Sequence, residues 1–108
     1  MLQSPNPTLS MSPRAGTLLT RMTEVPDPET ALWKVLTEYI TLKTDKLHQQ
    51  INQFESKWKM SFAEFVERCH NNTLGQDPYG YAVESDYWAW EEVETLLAHY
   101  RTLQSQWM

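Results

Sequence analysis

Glu67-Arg-Cys-His70 is the one place in this chain where a carboxylate and an imidazole stand three residues apart. On a helix that spacing puts both on one face, the arrangement that metal sites in helical bundles use. A dimetal bundle needs a second copy and further inward carboxylates. Glu84, Asp86 and Glu91 could supply some of the carboxylates, but His48 and His99 have no Glu three residues earlier. Glu67 and His70 therefore read as surface residues near a helix end, with no metal or cofactor expected. Cys69 beside His70 is no nucleophilic dyad, because neighbouring helical residues point about 100° apart. Cys69 reads as a buried structural cysteine. Glu91 and Glu92 diverge for the same reason, and no Gly-rich phosphate loop or zinc pattern accompanies them. These residues do not favour an enzyme.

The positive lead is aromatic. The stretch "ESDYWAWEEVE" (84–94) sets Tyr87, Trp88 and Trp90 among five acids with no basic residue. Five Trp and five Tyr in 108 residues exceed what a small helical core readily hides, and aromatics dominate interface hot spots. Trp90 reads as core. Trp88 lies about 160° from it around a helix, which leaves Trp88, with Trp107, as an interface candidate. A contact face of Glu84, Asp86, Trp88, Glu91 and Glu92 would suit an arginine-bearing, basic protein partner through ion pairs and cation–π contacts.

Charge patterning agrees with such a partner. Residues 1–60 hold seven Lys or Arg against six Asp or Glu, whereas residues 61–108 hold two against eight, a net of −6. An acidic half repels phosphate backbones, so direct nucleic-acid binding is not expected. It favours encounter with a basic protein. The single cysteine excludes an internal disulfide and fits a reducing compartment. No apolar run approaches the ~18 residues of a membrane span, so a cytoplasmic protein is the expectation.

The elements that position these residues read as all-α, one domain over 27–108 behind a disordered segment, 1–26, rich in Pro, Ser and Thr. Fold signals begin only after Met22, so the expectation is that residues 1–21 are an over-extended start. Asp27-Pro28-Glu29 opens a long helix over about 28–57, with Asp27 as cap and Pro28 at the first position. Its stripe runs Trp33, Leu36, Ile40, Leu47, Ile51, Phe54 and Trp58. "KMSFAEF" then carries Ser61 as N-cap with Glu64 completing a capping box. Met60 and Phe65 form a hydrophobic staple, which sets a sharp turn at Lys59–Ser61. A short helix follows, then the loop "GQDPYGY" (75–81). A closing helix starts at Glu84 or Ser85, with Trp90, Val93, Leu97 and Tyr100 as its apolar stripe, widened by Tyr87, Leu96, Leu103 and Trp107. The long and closing helices are expected antiparallel. The uncovered start of the long stripe suggests a homodimer through that helix.

Taken together, "FESKWKMSFAEFVERC" and "YAVESDYWAWEEVETLLAHYRTL" resemble a group of small prokaryotic antitoxin-like proteins encoded beside compact toxins, including TumE-type toxins. The resemblance rests on Lys57-Trp58, on Met60-Ser61-Phe62 with Phe65, and on Glu84, Asp86, Trp90 and Glu91. It covers about residues 45–105. It implies binding and neutralisation of a partner toxin from a neighbouring gene, without catalysis. Many antitoxins carry a DNA-binding module, and none is visible here.

Overall fold

The computed structural model describes residues 11–108. Four helices follow one another: α1 (Pro13–Thr23), α2 (Pro28–Trp58), α3 (Phe62–Asn71) and α4 (Tyr81–Trp107), and no strand occurs among the described residues. The all-α expectation holds. By packing, the chain divides within α2 into two units, one ending at Tyr39 and the other starting at Ile40.

The first unit departs from the expectation of disorder over 1–26. Residues 1–10 lie outside the described residues, but 13–23 form α1. The signals are local caps. Ser12 adopts an extended backbone and its hydroxyl accepts from the Ala15 N–H at 3.2 Å, with Pro13 at the first helical position. Glu24 ends the helix in the left-handed conformation (φ 58°). Thr23 Oγ1 donates to the Leu19 carbonyl at 2.6 Å and accepts from Val25 N–H at 3.2 Å. Lys34 Nζ donates to the Thr23 carbonyl at 3.4 Å, a cation placed at the negative end of α1. A Pro- and Thr-rich composition hid a capped helix.

Asp27 caps α2 as expected. Its carboxylate accepts from both the backbone N–H (3.0 Å) and the hydroxyl (2.6 Å) of Thr30. The Thr30 hydroxyl bond first, then its N–H, holds the Asp27 carboxyl below the ordinary carboxylate value. A depressed folded-state value stabilises the cap above the unfolded carboxylate range, and that contribution fades as pH falls through the lowered value.

The second unit is built on the C-terminal half of α2, α3 and α4. The turn between α2 and α3 forms where expected. Lys59 takes the left-handed conformation (φ 59°), and Ser61 Oγ accepts from Glu64 N–H at 3.2 Å. Met60 packs against the cluster that contains Phe65, as the staple requires. The reciprocal arm of the capping box is replaced: Glu64 Oε2 instead accepts from Arg68 Nε at 3.0 Å, one turn on. Ser61→Ala is expected to lower stability by about 1 kcal/mol. An unchanged denaturation midpoint would contradict the role of the cap.

α2 and α4 run antiparallel, as the order of their contacts shows. His48 meets Arg101, Leu47 and Ile51 pack with Leu97, Phe54 stacks on Trp90 (centroids 5.3 Å apart), and Trp58 meets Asp86. Two apolar clusters result. One joins Leu47, Ile51 and Leu97, flanked by Val93 and Tyr100. The other centres on Phe65, Val83 and Trp90, with Phe54, Trp58, Met60, Phe62, Leu74 and Tyr87 against it.

Two expectations are corrected. α4 starts at Tyr81, a turn earlier than Glu84 or Ser85. The Asp77 carbonyl accepts from Gly80 N–H at 2.9 Å, closing a tight turn, and Gly80 then serves as the N-cap. This earlier start sends Val83 into the core. Leu96 and Trp107, expected to widen the buried stripe, are exposed.

Candidate functional site

α4 sorts its residues by turn. Glu84, Trp88, Glu91 and Glu92 recur at i, i+4, i+7 and i+8, so they share one side of the helix. Trp90 on the other side is fully buried, while Trp88 is 60% exposed. Glu84 and Glu92 are exposed and Glu91 is half-buried. The structure thus brings four of the five expected contact residues onto one face.

Asp86 is the exception. Its Oδ2 accepts from Trp58 Nε1 at 2.9 Å and pairs with Lys57 Nζ at 2.6 Å, and its side chain is only 17% exposed. The spacing explains it: Asp86 and Trp90 are four residues apart and face α2 together, whereas Asp86 lies about 160° from Trp88. Asp86 fastens α4 to α2 and does not belong to the contact face.

Two hollows meet at Trp88. One, of about 600 Å³, runs along α4 over Trp88, Glu91, Glu92, Thr95, Leu96 and His99. The other, of about 340 Å³, is formed where α3, the 72–80 loop and the start of α4 converge, and includes His70, Pro78, Tyr79, Glu84, Tyr87 and Trp88. Trp88 is the residue common to both. The loop that brings Tyr79 there is shaped by Asn72 and Gly75, both at positive φ, and by the Asp77 carboxylate, which accepts from Tyr79 N–H at 3.0 Å. Sequence reasoning missed Tyr79. The available signal was an aromatic residue inside a Gly- and Pro-rich loop, outside any apolar stripe. A larger hollow, about 660 Å³, lies in the first unit beside Gly16 and Pro28. Two acids line it, Asp27 and Glu29, and the Asp27 carboxylate is already taken up by Thr30.

Glu67 and His70 are both exposed, and no cluster of three or more His, Cys, Asp or Glu side chains able to hold a metal ion occurs among the described residues. Cys69 is partly buried against the Trp90 cluster, and that burial pushes its thiol above the ordinary value. Less thiolate forms at neutral pH, so Cys69 is expected to react with iodoacetamide more slowly than an unfolded cysteine peptide. Faster alkylation in the native state would instead indicate an activated thiol.

No helix among the described residues is long and apolar enough to cross a membrane. No family model matches the chain, and neither the curated proteins nor the solved structures provide a match.

Proposed function

We propose that this chain is a non-catalytic binding module of the cytoplasm, antitoxin-like, which neutralises a basic toxin encoded beside it by presenting the outer side of α4. The observation that carries the reading is Trp88, a large side chain left 60% exposed on α4 between two hollows and next to Glu84, Glu91 and Glu92. The area of an indole is worth most when a partner buries it inside a polar rim. The acidic balance of residues 61–108 favours a basic protein over nucleic acid. The resemblance through Lys57-Trp58, Met60-Ser61-Phe62 with Phe65, and Glu84, Asp86, Trp90 and Glu91 supplies the toxin class.

Co-expression with the neighbouring gene product tests it. Co-purification and rescue of growth are expected. A neighbour that is neither toxic nor retained by this chain would sink the antitoxin reading.

A second reading concerns α2. Trp33 is 43% exposed, and Leu36 and Tyr39 are exposed beside it at successive i+3 steps. The three are symmetric about Leu36, so an antiparallel two-fold pairing sets Trp33 of one copy against Tyr39 of another and uses the same patch twice. Such a homodimer is compatible with toxin binding by α4. Sedimentation is expected to show dimer that Leu36→Glu converts to monomer. Monomer alone at high concentration in the unsubstituted protein removes this reading.

A further inference from the structure

The hollow between α3 and α4 has the makings of a cation receptor. Tyr87 and Trp88 form its corner: their ring centroids lie 5.7 Å apart and their planes meet at 68°. Tyr79, strongly exposed on the loop, and Glu84, one turn before Trp88, also line the space. Glu84 has no ion pair among the described residues, whereas Asp86 pairs with Lys57 and Glu64 with Arg68. His70 also lines it, on the α3 side.

We infer that this hollow receives an arginine side chain of the protein partner. The inference rests on α4 being the docking face and names what that face recognises. Aromatic faces attract a cation within about 6 Å of the ring centroid. A free carboxylate at the edge offers two oxygens to the parallel N–H groups of a guanidinium. Arginine fits better than lysine because its plane stacks on an indole while its fork pairs with the carboxylate. The compact ammonium of lysine holds its hydration shell more strongly and stays outside an open hollow. Two hollows share Trp88, but only this one has three aromatic residues and an acid, so the recognition element sits at the α3 end of the face.

The test uses the full chain and small probes, so that it does not depend on knowing the partner. N-acetyl-arginine amide is titrated while the Trp88 indole N–H and the Tyr79 amide are followed by two-dimensional NMR. Saturable shifts at those two positions are expected, with a dissociation constant on the order of 10 mM for so small a ligand. Glu84→Gln and Trp88→Ala should each weaken binding by roughly fivefold or more. Both positions are exposed, so the fold persists and unchanged helical circular dichroism verifies it. Glu67→Gln, outside the hollow, should bind as the unsubstituted protein does.

N-acetyl-lysine amide and tetramethylammonium are the comparison arms. If either binds as tightly as the arginine amide, the arginine assignment is overturned. It is likewise overturned if no saturation occurs or if Glu84→Gln binds normally. Should the arginine amide fail while capture of the co-expressed toxin still depends on Trp88, the pocket assignment falls and the docking reading stands. Should the amide bind while no neighbouring product is captured, the pocket stands and the toxin reading falls.

Discussion

Trp90→Ala is expected to destabilise the second unit by about 3–5 kcal/mol, the largest effect of any single substitution proposed for this protein. Trp90 is fully buried and its ring meets three others: Phe54 stacked at 5.3 Å, Phe62 at 5.3 Å and Phe65 at 5.2 Å. These rings come from α2 and α3, so truncation opens a cavity where three helices meet. The indole N–H complicates the balance, because Trp90 Nε1 is buried without a hydrogen-bond partner among the described residues. An orphaned donor of that kind costs about 1–3 kcal/mol in the native state. Trp90→Phe removes the orphan while keeping much of the ring, and should therefore cost far less than Trp90→Ala. Denaturant unfolding of the two variants provides the comparison. Equal losses would mean that ring packing at this position matters little.

Trp88→Ala is expected to do the reverse, leaving stability within about 0.5 kcal/mol while weakening binding of the proposed partner by about 2 kcal/mol or more. The substituted positions are two apart, yet the helical turn sends one side chain into the core and the other to the surface. Charge reversal at Glu84, Glu91 and Glu92 should mainly slow association and reduce its salt dependence. Asp86 must be left out of that set. Reversing it would break the pairing with Lys57 and Trp58 and turn a binding experiment into a folding experiment. Binding measured by calorimetry, with unfolding measured in parallel, separates the two effects. Unchanged affinity in Trp88→Ala and in the charge reversals would reduce this face to a solvated surface.

The Asp86 result also changes what the resemblance signifies. Of its positions, Lys57, Trp58 and Asp86 form one network, Ser61 caps α3, and Phe62, Phe65 and Trp90 fill one core. Only Glu84 and Glu91 remain for the outer side of α4. Most of the shared pattern therefore describes how three helices are held together, and it shares only Glu84 and Glu91 with the proposed contact face.

Local chemistry made much of the fold legible in the linear sequence. Ser61 and Asp27 at caps, Met60 with Phe65 as a staple, and the 3.6-residue spacing of Leu47, Ile51, Val93 and Leu97 each act over a few residues, where spacing alone decides geometry. The opposite fates of Trp88 and Trp90 follow from the same periodicity. Tertiary structure decided what depends on the chain meeting itself across distance. Asp86 lies in the most acidic stretch and reads as part of a surface, but a lysine and an indole, twenty-nine and twenty-eight residues earlier respectively, turn it inward. The pocket at Trp88 has the same origin. Tyr79 is delivered by a loop whose path is set by left-handed turns and by Asp77, and the pocket's walls come from three separate segments. Periodicity assigns a residue to a face of its own helix; what that face meets is decided by packing between elements.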